Sequence, residues 1–177
     1  GIEYFTNVAY LYILETPLTS VDISALTSLT DFHCSNNTLL TTLNFNAENL
    51  FSLTLNNNGL TALDLSTFAN NDNFSFDLDL SYNQLTSIDL SPLAGTTINT
   101  VILSHNNIQS FDFSGLDGGP VGTLDLSYNE ITDVDFSTLN QNMYSLDISY
   151  NLYDHLDYQG LSHLQYLTIG GGALNSV

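Results

Sequence analysis

The phrase LDLSYNQLTSIDLS at residues 78–91 returns as LDLSYNEITDVDFS at 124–137. A chain that repeats a phrase this closely places each copy in an equivalent environment, and short periods of this kind build solenoids in which every unit buries its apolar side on its neighbours. Aligning on the asparagine of LSYN gives the column Thr16, Asn37, Asn58, Asn83, Asn106, Asn129, Asn151 and Gly172. The intervals are 21, 21, 25, 23, 23, 22 and 21 residues. Their mean is about 22, which a repeat architecture accommodates, and the whole chain reads as about eight coils spanning residues 1–177.

Five and three residues before the column stand the apolar pairs Leu11/Ile13, Phe32/Cys34, Leu53/Leu55, Leu78/Leu80, Val101/Leu103, Leu124/Leu126, Leu146/Ile148 and Leu167/Ile169. Alternation of this kind is a short strand with every second residue inward. Two residues after the column the chain buries again, at Leu18, Leu39, Leu60, Leu85, Ile108, Ile131, Tyr153 and Leu174. The sharp turn between the two leaves backbone groups pointing inward, and a buried amide side chain carries both a donor and an acceptor to satisfy them. Asn37, Asn58, Asn83, Asn106, Asn129 and Asn151 are therefore expected to stack as a structural ladder. One central rung is worth about 1–3 kcal/mol, the cost of leaving such groups unpaired.

A second phrase follows each turn: VDIS at 21–24, LDLS at 63–66, IDLS at 88–91, FDFS at 111–114 and VDFS at 134–137. Its apolar letters alternate, so it reads as another extended piece with its aspartate outward. Serine is a good N-cap, and Pro92 fits the first helical position after Ser91. Single turns of 3₁₀- or α-helix are expected on that side, with loops at 69–74 and at 117–120, the DGGP insertion.

The combined pattern LxxLxLxxNxL resembles the leucine-rich repeat family. FHCSNNTLLTTLNF and LDLSYNQLTSIDLS are most similar to bacterial extracellular repeats, including those of internalin-like proteins and surface proteins of Bacteroidetes. The resemblance implies an α/β-type, mostly β solenoid: a right-handed superhelix with a parallel sheet on its concave side and short helical turns or extended segments on its convex side. The resemblance covers the chain as a single repeat domain, and the start at Gly1 without a methionine reads as a processed product or a piece of a longer chain. Also implied by the resemblance is a non-catalytic binding module, secreted or at the cell surface, that recognises a protein or glycan through the concave face. Thr16 and Gly172 depart from the asparagine pattern, and the second coil carries an extra residue around Leu40.

Charge narrows the partners. Nineteen acids face no lysine or arginine, for a net charge of −19. Nucleic acid and anionic membrane surfaces need cationic side chains, so neither is expected as a partner. No apolar stretch is long enough for a membrane span. A chain without any residue that trypsin-like enzymes cut suits a protease-rich extracellular setting.

The outward strand positions form the expected binding face. They include Tyr10, Tyr12, Asp31, His33, Asp77, Asp79, Asp125, Asp147 and Tyr166, with Ile102 and small polar residues between. Beside them runs the column Tyr82, His105, Tyr128 and Tyr150. Amphipathic rings are common contact residues, but rings one coil apart also stack on one another. Asp22, Asp64, Asp89, Asp112, Asp135 and Asp157, with Asn44 in the same row, admit two readings: turn caps that accept local backbone amides, or a calcium row. No other cofactor is implied.

The remaining chemistry is thin. Cys34 holds an inward strand position and reads as a buried small hydrophobe. His33, His105, His155 and His163 show no metal-ligand spacing, and no nucleophile or phosphate-cradling motif is present, so no enzyme is expected. Asn36 and Asn73 begin glycosylation sequons. Neither terminus looks like a solenoid cap, which leaves an alternative role: a structural subunit of a fibre or surface layer that associates end to end.

Overall fold

The computed structural model describes residues 1–70, 75–139, 141–157, 159 and 161–172. Eight short strands form one parallel sheet: β1 (Tyr10–Leu14), β3 (Asp31–Ser35), β5 (Ser52–Thr54), β6 (Phe76–Asp79), β7 (Ile98–Ile102), β8 (Val121–Asp125), β9 (Met143–Asp147) and β10 (Tyr166–Thr168). They lie side by side in that order, one per coil, as a mostly β solenoid. A second sheet of only two strands, β2 (Ser20–Asp22) and β4 (Thr42–Asn44), starts the opposite wall. In later coils the equivalent segments stay unladdered among the described residues, and the wall is finished by turns.

Register in the long sheet follows the repeat residue by residue. Leu11, Phe32, Leu53, Leu78, Val101, Leu124, Leu146 and Leu167 are successive Cα partners across the eight strands. Because side chains alternate along a strand, this register puts every one of them on the inner face. From Phe32 to Leu146 that row is buried. The opposite wall meets it with Leu26, Phe68, Leu93, Leu116 and Leu139, all buried, so one continuous core runs down the axis.

Among the described residues the short helices are all 3₁₀ turns: Ser66–Asn70, Ser91–Leu93, Phe113–Leu116 and Phe136–Thr138 on this wall, and Ile2–Tyr4 at the start. Serine does not cap them, as the sequence suggested; Asp112 and Asp135 occupy the N-cap positions, and each accepts the amide of the serine two residues on. Ser91 lies inside its turn, behind the uncapped Leu90, and Pro92 follows it. The reason is where the turn begins: it starts at Phe113 and Phe136, directly after the aspartate, so Ser114 and Ser137 lie inside it and the aspartate takes the N-cap place.

The inward position after the turn also needs correction in the first coils. Leu39 is 54% exposed while Leu40 is fully buried, because the second coil's extra residue shifts the core position by one. Leu18 is 40% exposed, in the coil whose strand β1 stands at the edge of the described sheet. Tyr153 takes the position in the seventh coil, fully buried, with its hydroxyl donating to Ile148 O at 2.9 Å. Leu174, the sequon at Asn73 and part of the 69–74 loop lie outside the described residues.

Candidate functional site

The strand-to-turn corner positions the side chains along the edge of the long sheet's outer face, and it is built around the asparagines. Each buried amide ties two coils together. Asn83 Oδ1 accepts the amide of Leu60 at 3.1 Å, and its Nδ2 donates to Leu55 O at 2.9 Å and Leu80 O at 3.0 Å. Asn106, Asn129 and Asn151 repeat that pattern on the amides of Leu85, Ile108 and Ile131, each at 3.0 Å. Higher up, Asn58 accepts from Asn37 N at 2.9 Å, and Asn37 accepts from both the amide and the hydroxyl of Thr16. Thr16 therefore serves the first coil as donor to the ladder without being a rung itself.

The residue just before each rung takes the left-handed backbone conformation: Glu15, Asn36, Asn57, Tyr82, His105, Tyr128 and Tyr150 all have φ between 54° and 60°. Such a conformation costs a non-glycine residue about 1–2 kcal/mol, and the fold holds it by hydrogen bonds to the next coil. Tyr82 N donates to Ser104 O at 3.0 Å, His105 N to Ser127 O at 3.1 Å and Tyr128 N to Ser149 O at 3.0 Å. The sequence reading missed this strain, although asparagines and the glycine at the same offset, Gly171 with φ of 67°, are the residues that tolerate it best.

That conformation aims the four aromatic side chains into one column. Ring centroids are 4.1 Å apart for Tyr82 and His105, 4.2 Å for His105 and Tyr128, and 4.2 Å for Tyr128 and Tyr150, with planes within 11° of parallel. The column ends on the backbone of Gly171, where any Cβ would run into the Tyr150 ring. A hydrogen bond with Tyr150 is the main cause that pushes the Tyr128 phenol above its ordinary range. A second pair, Tyr12 on His33, stacks at 4.8 Å.

The outward positions of the long sheet make two further columns. Tyr10, Asp31, Ser52, Asp77, Thr100, Thr123, Ser145 and Tyr166 are successive Cα partners in one, and Tyr12, His33, Thr54, Asp79, Ile102, Asp125, Asp147 and Thr168 in the other. Tyr10, Tyr12 and Tyr166 are exposed and the central residues half-buried. Tyr144, exposed and tilted against Tyr166 at 5.3 Å, was not singled out because it falls one residue before the repeat's outward position. The concave-side acids are pinned as the wall acids are: Asp79, Asp125 and Asp147 each accept the amide of the serine two residues on, at 2.9 Å.

On the other wall Asp22, Asp64, Asp89, Asp112 and Asp135 are exposed, and each Oδ1 accepts the amide of the serine two residues on, at 2.8 to 3.1 Å. Asp157 accepts from Gln159 in the same way. These bonds, with the serine hydroxyls foremost at Asp22, Asp89, Asp112 and Asp135 and the Ser66 amide at Asp64, hold the carboxyls below the ordinary aspartate range. Local capping thus accounts for the row. Among the described residues no group of three or more His, Cys, Asp or Glu is arranged to hold a metal ion. Cys34 is fully buried, and loss of solvent raises its thiol to about 11.

No protein-family model matches the chain. No curated protein matches it either. Among solved structures it is similar to the functional domain of InlJ from Listeria monocytogenes, described as including a cysteine ladder, at a TM-score of 0.54 and 22% sequence identity. The likeness covers 100% of this chain and 47% of that one, so this chain spans about half its length. A single cysteine stands in this sequence, and its ladder is made of asparagine. The likeness and the strand order together give the fold: a mostly β solenoid of the leucine-rich repeat type, shared with an internalin.

Proposed function

We propose that the chain is a non-catalytic binding module, secreted or displayed at a cell surface, that recognises a partner through the outer face of its long sheet. The observation that carries this reading is the register: eight strands hold sixteen outward residues in two unbroken columns, flanked by a rigid aromatic column. Such a surface is pre-organised, which lowers the ordering cost of binding. The internalin neighbour supports a surface setting, and none of the described helices is long and apolar enough to cross a membrane. Protein and glycan partners both fit this reading, and calcium is not required by it.

Cell-binding assays test it. Fluorescently labelled chain is expected to bind intact cells, and Asp125→Asn with Asp147→Asn, which keep the acceptors for the Ser127 and Ser149 amides, to weaken the signal while leaving the circular dichroism spectrum unchanged. Equal binding by that variant, or no binding by the parent chain, counts against the sheet face.

A second reading is end-to-end assembly of copies. It is favoured by the first coil, where an apolar cavity of about 250 Å³ lies among Ile2, Phe5, Val8, Tyr10, Leu11 and Leu26, and where Tyr4, Phe5 and Leu14 are exposed. Light scattering that shows lengthening oligomers with rising concentration supports it; a constant monomer mass rejects it.

A further inference from the structure

We infer that the partner of the sheet face is a lysine- or arginine-bearing protein segment laid across β6–β9, along the solenoid axis. This rests on the reading just proposed and narrows its partner from protein or glycan to one class.

The aromatic column argues against a sugar. A pyranose ring packs its C–H groups on an open aromatic face, where the π-system is negative. His105 and Tyr128 have a ring on both sides, and Tyr150 lies between Tyr128 and the Gly171 backbone. Of these three only ring edges, with their hydroxyl and imidazole groups, reach solvent; Tyr82, at the end of the column, has a ring on one side only. The edges form a polar rail, not a platform.

The carboxylates supply the charge. Asp79, Asp125 and Asp147 are each held at Oδ1 by a serine amide, and Asp79 and Asp147 by the serine hydroxyl as well, at 2.7 Å. This fixes their rotamers and leaves Oδ2 free of any partner among the described residues. No lysine or arginine exists in the chain to neutralise them. Asp125 and Asp147 are direct Cα partners on β8 and β9, and Ile102 separates them from Asp79 in the same column. Tyr82, Tyr128 and Tyr150 each follow the acid of their own coil, Asp79, Asp125 and Asp147, by three residues, so the acids and the ring edges run in neighbouring columns. Four consecutive strands therefore read acid, apolar, acid, acid at a spacing of about 4.8 Å. A segment that presents cation, apolar, cation, cation at that spacing complements it, and like-charged nucleic acid or acidic protein is repelled.

The test titrates isotopically labelled chain with a synthetic alternating Lys-Ala peptide of about 20 residues, at salt from about 0.05 to about 0.5 M. An alternating Glu-Ala peptide and a soluble chitin oligosaccharide are run beside it. Expected are amide shifts confined to β6–β9 with the Lys-Ala peptide alone. Affinity should fall roughly three- to tenfold in Asp125→Asn with Asp147→Asn, since both variants keep the Oδ1 acceptor and fold. Asp89→Asn with Asp112→Asn, on the opposite wall, should leave the affinity near the parent value. Equal losses in both double variants, or shifts spread over both walls, mean unspecific attraction to a charge of −19 and overturn the inference. Shifts on β6–β9 with the oligosaccharide and none with the Lys-Ala peptide overturn it while sparing the sheet face as a binding site. The absence of any shift on that face with all three probes counts against both.

Discussion

Asn106 Oδ1 accepts the amide of Leu85, a residue 21 positions earlier and one coil away, at 3.0 Å, while its Nδ2 donates to Leu80 O and Leu103 O, each at 3.0 Å. One side chain thus satisfies three buried backbone groups from two coils. Asn106→Ala strands the Leu85 amide and removes one of the two amide donors on Leu80 O and Leu103 O, which keep Asn83 and Asn129, and is expected to lower stability by about 1–3 kcal/mol. Thr16→Ala, which leaves its backbone bond to Asn37 in place, should cost about 0.5–1.5 kcal/mol. Urea unfolding of the two variants measures the difference, and equal values would show that the ladder carries no special weight.

The left-handed corner predicts an order among substitutions at Tyr128. Asn tolerates that backbone and loses only two ring contacts, so Tyr128→Asn should destabilise by about 1 kcal/mol. A β-branched residue at φ of 54° adds strain, and Tyr128→Val should cost about 1–2 kcal/mol more. Thermal melts that rank valine above asparagine contradict the assigned conformation.

Acid sensitivity follows from the capping aspartates. Their folded-state carboxyls lie below the ordinary value of 3.8, so the capping contribution is fully present above that value and is lost as pH falls through the lowered ones. Self-repulsion works the other way, since protonating part of a charge of −19 relieves it as pH drops from neutrality. Melting temperature should therefore hold or rise from neutral pH towards about 4.5 and fall steeply below. Asp112→Asn with Asp135→Asn, which keep an acceptor that does not titrate, should flatten the acid limb. A limb unchanged in that variant would assign the acid loss elsewhere.

Cys34 is packed with no solvent access and its thiol is raised to about 11 by burial. A thiol-reactive disulfide reagent at mildly alkaline pH should label it only after denaturation, because the thiolate is the reactive form. Through linkage, the protonated thiol favours the folded state below the ordinary value of 9.0, and this contribution is lost as pH rises towards 11. Labelling of the native chain at the rate of a free peptide thiol is the contrary result.

Much of this was legible because the period was. The apolar pairs and the asparagine column set register, inner face and ladder, since a side chain repeated every 22 residues or so in an eight-coil chain has one way to stack. The outward columns followed from alternation alone. What escaped was local geometry that periodicity does not encode. The extra residue at Leu40 moved a core position that spacing put at Leu39. Asp112 and Asp135 are the turn caps that one reading of their row expects, but the serines expected as N-caps lie inside the turns, because each turn starts directly after its aspartate. The positive φ of Tyr82, His105, Tyr128 and Tyr150 hid behind aromatic letters, though Asn36, Asn57 and Gly171 at the same offset carried the signal. Tyr144 lay off the repeat frame and so off the expected face.

The most direct test of the account is amide hydrogen exchange at Leu60, Leu85, Ile108 and Ile131, whose N–H groups are accepted by Asn83, Asn106, Asn129 and Asn151 side chains on the following coil. Coils locked in line by those amides predict exchange as slow as the core strands, with Leu85 alone released early in Asn106→Ala. Exchange of all four at the rate of exposed loops would contradict the ladder and, with it, the rigid sheet face built on it.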